Sequence, residues 1–385
     1  MKRISLIAIM ALMGIGSVAA KSSTTLPIVG EVVKATNPLI QYVGRVSFAK
    51  NETASFNFPG TSILARFQGS SLKMICRPMT GYFMAQVDGC EPFKVGFNAE
   101  RDSVVTVAAA LPKGEHQVKL MYVIEGLFRT PEFRGFVLDK GCSLVKSPDL
   151  PERKIEFIGN SITCGYGVES IEMTDPFEDE TENHWLTYAN IVSDSLNAQH
   201  TSISRSGIGV YRNYDGPKAG SDENMPWQYE YTLFNKHDEK WNFNKYQPQL
   251  VCINLGTNDL STNNYDIALY EKNYRMFLTT VRSKYPNAKI VLITGPMLGE
   301  KESGEQREVL DRICSDANKK GFTLPEEVRK ARKGKNKGDK DIYRFDFTFQ
   351  TGDLGYGASW HPSKLQHQKM ADELLPFLRN LMGWE

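Results

Sequence analysis

Short runs of alternating apolar and polar residues fill the chain between residues 38 and 146. Most of these runs end at Gly or Pro, and none shows the spacing of a helix. Runs of strand length separated by turn residues are typical of two packed antiparallel sheets. The region therefore predicts a β-sandwich built from the segments ASFNFPG, SILARFQG, SLKMICRP, YFMAQVDG, SVVTVAAALPKG, HQVKLMYVIEG and FRGFVLDKG.

The pattern changes after the segment KSPDLPERK, residues 146–154, whose prolines and mixed charges are typical of a linker between domains. Beyond it, apolar runs of strand length alternate with segments of helical spacing. The predicted strands are KIEFIG, HTSISRSG, PQLVCINLGTND, AKIVLITGPM and DIYRFDF. The predicted helices are WLTYANIVSDSLNA, YEKNYRMFLTTVRSKYP, EQREVLDRICSDANKKG and SKLQHQKMADELLPFLRNLMG. Such alternation predicts an α/β domain, with a parallel sheet covered by helices on both faces.

The first twenty residues, MKRISLIAIMALMGIGSVAA, have the parts of a secretory signal peptide: Lys2 and Arg3, an apolar stretch and small residues at the end. We expect cleavage near Ala20 and an exported protein, periplasmic or secreted. No later run is long and apolar enough to span a bilayer, so no membrane insertion of the mature chain is expected. The expected organisation is a signal peptide over residues 1–20, a sandwich domain over 21–148 and an α/β domain over 154–385.

Composition argues against several classes of function. The 385 residues include 46 basic and 45 acidic ones, so no excess charge indicates a nucleic-acid partner. The chain has no CxxC, HExxH or GxxxxGK[ST] motif and no cluster with metal-ligand spacing, so neither a metal nor another cofactor is expected. Export would permit disulfides, and Cys76 with Cys90 is the candidate pair, although a buried free thiol is the simpler interpretation for Cys76.

Residues that can carry chemistry follow the predicted strands of the α/β domain. Ser161 comes after the first strand, Gly207 after the second and Asn258 after the third, while His361 precedes the last helix. The carboxyl ends of parallel strands meet at one edge of the sheet, where such domains bind ligands. We therefore expect Ser161 as nucleophile, His361 as general base, and an oxyanion hole formed by the N–H groups of Ser161 and Gly207 with the amide of Asn258. Singly, each residue also fits a helix cap or a turn, and only the ordered set favours catalysis.

The blocks that contain these residues, GNSIT, SGIG, GTND and WHPS, resemble the four conserved blocks of the SGNH, or GDSL-type, hydrolases. The segments PGTSILARFQG, VDG and LPKGEHQVKL resemble the N-terminal β-domain of carbohydrate esterase family two, so the resemblance covers about residues 38–380. It implies a jelly-roll sandwich followed by a flavodoxin-like SGNH domain of α/β/α type. It also implies a serine esterase that removes acetyl groups from plant-type polysaccharides or oligosaccharides, such as acetylated xylan or mannan.

The last block departs from the superfamily in one respect. An Asp usually lies three residues before the His, whereas this chain has Ala358 there and Ser359 next to it. Some members of the resembled family use a Ser–His dyad whose imidazole is oriented by a backbone carbonyl, and we expect the same of Ser161 and His361. Asp353, in a glycine-rich stretch upstream, is the alternative partner for the imidazole.

Aromatic residues near these blocks are candidates for walls on which a sugar ring stacks. Trp360, beside His361, is the first candidate, and Tyr211, Tyr214 and Trp227 follow the second block, although core packing explains each of these equally well. Two other functions stay open: an SGNH esterase for another acyl ester, of O-acetylated peptidoglycan or a lipid, and a carbohydrate-binding protein with a weakened catalytic site. A polymer-binding role for the sandwich alone is a further alternative.

Overall fold

The computed structural model describes residues 28–385, apart from residues 51, 101, 102, 130, 263, 323–325, 327–329 and 331–337. The predicted signal peptide, residues 1–20, lies outside the described residues. Within those described ranges, no helix combines the length and the apolar character needed to cross a membrane.

Two antiparallel sheets form the N-terminal region. Their strands are β1 Glu31–Lys34, β2 Gln41–Val43, β3 Ala54–Ser55, β4 Ser62–Gly69, β5 Leu72–Cys76, β6 Gly81–Val87, β7 Phe93–Phe97, β8 Val104–Ala108, β9 Gly114–Tyr122, β10 Glu132–Leu138 and β11 Leu144–Val145. One sheet has the order β1-β10-β5-β8, with β3 also paired to β10, and the other has the order β11-β4-β9-β6-β7, with β2 also paired to β4. The predicted sandwich is thereby confirmed.

Every second side chain along strands such as β4 is buried in the core of the sandwich. In β4, Ile63, Ala65 and Phe67 are buried between the sheets, while Leu64 and Arg66 are half-buried on the outer face. The sequence pattern missed strands β1, β2, β7 and β11, and only the first two residues of its ASFNFPG segment pair as a strand. All six cysteines are free thiols, and the suggested pair of Cys76 and Cys90 does not form, because Cys76 is buried within β5 and Cys90 is exposed after β6.

A parallel sheet follows the predicted linker. Its strands are β12 Arg153–Gly159, β13 Ala198–Ser204, β16 Leu250–Asn254, β17 Lys289–Thr294 and β18 Ile342–Asp346. They lie in the order β13-β12-β16-β17-β18, and all neighbours are parallel. Counted along the chain this is the order 2-1-3-4-5 of flavodoxin-like sheets, which confirms the predicted fold class. A two-stranded hairpin, β14 Tyr231–Leu233 and β15 Lys236–Lys240, lies outside this sheet.

Helices cover both faces of the parallel sheet. They are α1 Ser161–Cys164, α2 Tyr188–Ser195, α3 Met225–Gln228, α4 Thr257–Leu260, α5 Ile267–Lys284, α6 Glu300–Lys320 and α7 Lys364–Met382. Apolar residues of α5 and α6 share one core with alternate residues of β16, Val251 and Ile253. Those of α2 and α7 share the other core with Leu250 and Cys252. Strands with two buried faces explain why these segments are so uniformly apolar.

The two regions are joined by buried contacts as well as by the linker. Phe58 of the sandwich region packs in the core of the α/β region that contains α5 and α6. Arg45, 1% exposed, donates to the carbonyl oxygens of Tyr229 at 2.5 Å and Tyr231 at 2.8 Å. Its guanidinium also lies 5.0 Å from the ring centre of Tyr229, whose hydroxyl donates to Glu156 on β12 at 2.6 Å.

Candidate active site

Three strand ends meet where the sequence predicted a site. Strand β12 pairs with β13 on one side and β16 on the other, and Gly159 at its end lies opposite both Ser204 and Asn254. The loops that leave these three strands therefore start at one level of the sheet. Ser161 follows β12, Gly207 follows β13 and Asn258 follows β16, so the fold brings the segments of these three residues together.

Ser161 opens the short helix α1 directly after β12. Asn160 caps this helix, because its side-chain oxygen accepts the N–H of Ile162 at 3.1 Å. Gly159 is required before it, since a Cβ at that position would lie 2.1 Å from Oγ1 of Thr163. Gly165, with φ of 93°, ends the helix in the left-handed conformation. This tight strand-to-helix turn holds Ser161, 6% exposed, at the sheet edge.

His361 lies within reach of Ser161. Its Nε2 is 2.8 Å from Oγ of Ser161, and its Nδ1 is 3.0 Å from the carbonyl oxygen of Ala358. A carbonyl oxygen only accepts, so Nδ1 of the neutral ring carries the hydrogen and Nε2 offers its lone pair to the serine hydroxyl. This is the tautomer that a general base for Ser161 requires.

Burial lowers the pKa of His361 to about 4, although hydrogen bonds to the backbone at Ala358 and Ser359 oppose the shift. The imidazole is therefore neutral at neutral pH and can accept a proton. Asp353, the alternative partner for the imidazole, is exposed and accepts the hydroxyl of Thr351 at 2.8 Å. The structure thus pairs Nδ1 with a carbonyl and leaves Asp353 in a local turn.

The turn that carries His361 has an unusual backbone. Ser359, with φ of 51°, and Trp360, with φ of 58°, are both left-handed, which is rare for residues with a side chain. Backbone hydrogen bonds hold the turn against the loop that follows α1: Ala358 N–H donates to Gly167 at 3.1 Å, and Trp360 N–H donates to Met173 at 3.2 Å.

Tyr166 is a site residue that sequence reasoning missed. Its ring stacks on the imidazole of His361, with 4.1 Å between ring centres and 23° between planes. The Tyr166 ring also packs against Phe177, with 4.8 Å between the two ring centres. In the sequence, Tyr166 is simply an aromatic residue five positions after Ser161. That position does not reveal a contact with His361, which is far away along the chain.

The second and third strand ends present donors suited to an oxyanion. Gly207 has φ of 73°, and a Cβ built there would meet only Tyr214 Cβ at 4.0 Å, so its backbone faces open space. The amide of Asn258 donates one hydrogen to Ile208 at 2.8 Å, which leaves its second hydrogen for another acceptor. Both residues follow strand ends, of β13 and β16, at the same end of the parallel sheet as Ser161.

Asp259, next to Asn258, fixes the loop that contains Gly207. Its buried carboxylate accepts backbone N–H groups of Val210 at 3.0 Å, Tyr211 at 2.8 Å and Arg212 at 3.1 Å. Burial raises the pKa of Asp259 to about 6, while these three hydrogen bonds act to lower it. The adjacent residues Asn258 and Asp259 therefore both bond to the backbone of residues 208–212, Asn258 through its amide and Asp259 through its carboxylate.

The four aromatic candidates differ in exposure. Trp360 and Tyr214 are 52% and 61% exposed and can offer a ring face to a ligand. Trp227 is half-buried and packs on His237, with 3.8 Å between ring centres. Tyr211 is only 1% exposed, and its hydroxyl accepts the N–H of Asp266 at 2.8 Å. Tyr211 is therefore a core residue without a free face for a sugar, which corrects the expectation from its position in the sequence.

Among the described residues, one buried group of three, Glu125, Cys164 and Glu182, has potential ligand atoms close enough to share a cation. Two of its oxygens already accept backbone N–H groups: Glu125 Oε2 accepts Ser206 at 2.6 Å and Glu182 Oε2 accepts Glu125 at 2.9 Å. Hydrogen bonds to the backbone thus account for the closest contacts of both carboxyl groups.

Comparison with known families agrees with this fold and site. Residues 155–374 match the family described as GDSL-like Lipase/Acylhydrolase, which places the α/β region among the GDSL-like hydrolases. Residues 42–148 match the family described as Carbohydrate esterase 2 N-terminal. The chain belongs to the family two carbohydrate esterases, with the N-terminal domain of that family and a GDSL-type hydrolase domain.

The matches to similar proteins extend over most of the chain. The cellulase/esterase CelE of Acetivibrio thermocellus is 34% identical over 351 residues, which are 90% of this chain but 40% of CelE, so the chain spans less than half of that relative's length. An acetylxylan esterase / glucomannan deacetylase of Cellvibrio japonicus is 27% identical over 91% of each protein. The structure of a family two carbohydrate esterase from Clostridium thermocellum in complex with cellohexaose has a TM-score of 0.79 and 34% identity, and the match covers 90% of this chain and 100% of that one.

Proposed function

We propose that this protein is an exported esterase that removes acetyl groups from plant-type polysaccharides or oligosaccharides, such as acetylated xylan or mannan. The observation that carries this proposal is the contact of 2.8 Å between Oγ of Ser161 and Nε2 of His361, with the other ring nitrogen held 3.0 Å from the Ala358 carbonyl. The acetylxylan esterase / glucomannan deacetylase of Cellvibrio japonicus supports the substrate class.

The first half of the proposed reaction forms an acyl-enzyme. Nε2 of His361 takes the hydroxyl proton of Ser161 while Oγ attacks the acetyl carbonyl carbon. The carbonyl oxygen becomes an oxyanion, which the N–H groups of Ser161 and Gly207 and the amide of Asn258 stabilise. When the tetrahedral intermediate collapses, the imidazolium gives its proton to the departing sugar hydroxyl, and the acetyl group stays on Oγ.

The second half repeats these steps with water. Nε2 of His361 takes a proton from water, whose oxygen attacks the acetyl carbonyl, and the proton returns to Oγ of Ser161 as acetate leaves. The Ala358 carbonyl keeps Nδ1–H in place throughout. A neutral carbonyl stabilises the imidazolium less than a carboxylate does, but it fixes the same tautomer and ring direction.

Sugar binding would use the exposed rings at the mouth of the site. Trp360 adjoins His361, and Tyr214 adjoins Gly207 through its N–H, which donates to the Gly207 carbonyl at 2.8 Å. Both rings have exposed faces, which suits stacking against a pyranose. The related esterase that was solved with cellohexaose supports an oligosaccharide as the ligand.

The test is acetate release from acetylated xylan, acetylated glucomannan and O-acetylated peptidoglycan, with the wild-type chain beside Ser161→Ala. Acetate from xylan or glucomannan that disappears in the variant supports the proposal. Acetate release from peptidoglycan alone would assign another acyl substrate. Binding to the polymers with no hydrolysis, even of p-nitrophenyl acetate, would identify a carbohydrate-binding protein and contradict the esterase.

A further inference from the structure

A buried carboxyl group from the sandwich contacts the segments that contain Ser161 and Gly207. Glu125 lies in the loop that connects the sandwich strands β9 and β10, and only 3% of it is exposed. The same loop contacts the α/β region through Val123, whose carbonyl accepts the N–H of His184 at 2.8 Å. Glu125 thus belongs to the N-terminal region by sequence and to the surroundings of Ser161 by position.

One oxygen of Glu125 contacts both segments that would form the oxyanion hole. Oε2 accepts the N–H of Ser206, directly before Gly207, at 2.6 Å. The thiol of Cys164, the last residue of the helix that Ser161 opens, lies 3.8 Å from the same oxygen and donates to it. A shift of this oxygen would therefore move the Gly207 segment relative to the Ser161 segment.

The main chain at Glu125 is itself held in place. The backbone N–H of Glu125 donates to Oε2 of Glu182, a fully buried residue, at 2.9 Å. Burial raises the pKa of Glu125, and burial together with the charge of Glu125 raises that of Glu182. The carboxyl group of Glu125 keeps an oxygen that accepts the Ser206 N–H in either protonation state.

We propose that Glu125 is a positioning residue, contributed by the N-terminal sandwich, that fixes the Ser206–Gly207 peptide so that the Gly207 N–H points at the oxyanion. This inference rests on the proposed esterase function and extends it. The sandwich then completes the catalytic site, in addition to any contact that it makes with the polymer.

Three variants of Glu125 test the proposal. Glu125→Asp keeps the carboxyl group but withdraws it by one methylene, and Glu125→Met fills a similar volume without an acceptor. Glu125→Gln keeps an oxygen at the same reach. Glu132→Asp is the matched control, because Glu132 is another buried carboxylate of the sandwich, 4% exposed, whose ion pairs with Lys50, Arg77 and Arg134 stay within the sandwich.

The measurements are kcat and KM on p-nitrophenyl acetate, and the Kd of a boronic acid, whose tetrahedral adduct on Ser161 uses the oxyanion hole. Misplacement of a catalytic donor by about 1 Å can cost on the order of a hundredfold in rate. We expect Glu125→Asp and Glu125→Met to lose about 10- to 100-fold in kcat with KM changed less than about twofold, and to bind the boronic acid more weakly by a similar factor. Glu125→Gln and Glu132→Asp should keep kcat within about threefold of wild type.

Wild-type kcat and boronate affinity in either Glu125→Asp or Glu125→Met, whichever is folded by circular dichroism, would overturn the proposal and leave Glu125 a purely structural residue. A loss in Glu125→Gln as large as in Glu125→Asp would also overturn it, since Gln retains the acceptor. A wild-type chain that hydrolyses no ester would instead contradict the proposed function. Boronate affinity would then still report on Glu125 independently.

Discussion

The turn that carries Ser161 and the turn that carries His361 are held by different forces. The first is continuous with β12, which has a parallel neighbour on each side, and it is closed by the Asn160 cap and by Gly165. The second lies outside the sheets, is closed by an isolated antiparallel bridge between Tyr356 and Pro362, and contains two left-handed residues, Ser359 and Trp360. Backbone hydrogen bonds to a neighbouring loop keep it in place.

This difference separates what the fold supplies from what local contacts supply. A left-handed residue with a side chain costs roughly 1–2 kcal/mol, and the His361 turn contains two of them. The hydrogen bonds of Ala358 and Trp360 to the loop after α1, together with the Tyr166 stack, offset that cost. The nucleophile is thus fixed by the sheet, and the base is fixed by loop contacts, so substitutions in the two turns should have different signatures.

The largest effect is expected at the sheet-supported turn. Ser161→Ala removes the attacking oxygen and should lower kcat by at least about a thousandfold, while the melting temperature stays near wild type because the strand and cap remain. Ser283→Ala, a serine of α5 whose hydroxyl donates to the backbone of its own helix, is the control. Near wild-type turnover in Ser161→Ala would exclude the mechanism as written.

The next largest effect is expected at Asn258, which follows strand β16 and is therefore supported by the parallel sheet, as Ser161 is. Asn258→Ala should reduce kcat by about 100- to 1,000-fold with little change in KM, because its amide is proposed to bind the oxyanion only as it forms. Asn242→Ala, which removes an exposed asparagine cap at a 3₁₀ turn, serves as the matched control. If Asn258 only held α4 against the Ile208 carbonyl, its variant would melt earlier and keep nearly normal turnover.

Acidification probes the loop-supported turn without a mutation. Since burial lowers the pKa of His361 from 6.5 to about 4, the ring stays neutral until the pH falls to that value. Only the neutral ring accepts the Ser161 proton, so kcat/KM should be level near neutral pH and fall about tenfold per pH unit below about 4. Circular dichroism at each pH checks that the chain is folded. A descending limb centred near 6.5 would contradict the buried, carbonyl-bound imidazole.

The smallest effect is expected from the carboxylate nearest to His361 in the upstream sequence. Asp353→Asn should change kcat by less than about tenfold, because Asp353 contacts Thr351 and is exposed. The same substitution of the buried acid in a serine-protease triad costs about ten-thousandfold. A thousandfold loss of kcat with an unchanged melting temperature would identify Asp353 as the partner of the imidazole. It would contradict the assignment of the Ala358 carbonyl to that role.

The sequence predicted those features whose signal is local. Strands with buried faces appear as apolar runs, and the blocks after them placed Ser161, Gly207 and Asn258 at strand ends. The hairpin strand β15 escaped prediction because its sequence, KHDEK, has no apolar residue and so no alternation. The contacts of Tyr166 with His361 and of Glu125 with Ser206 join segments that are distant in sequence. No local pattern of residues predicts such contacts. The resemblance led us to expect a backbone carbonyl as the partner of the imidazole, but it did not indicate which one, because every residue has a carbonyl and only the turn geometry selects that of Ala358.

The buried contacts of Arg45 and Phe58 have a consequence for heating and for proteolysis. Withdrawal of the sandwich would strip a guanidinium of two carbonyl acceptors and take a buried phenylalanine from the core that contains α5 and α6. The cost of such partly open states means that each half is poorly stable without the other. We therefore expect one cooperative calorimetric transition for the whole chain, and a protein nicked in the linker at residues 146–152 should stay associated until it unfolds.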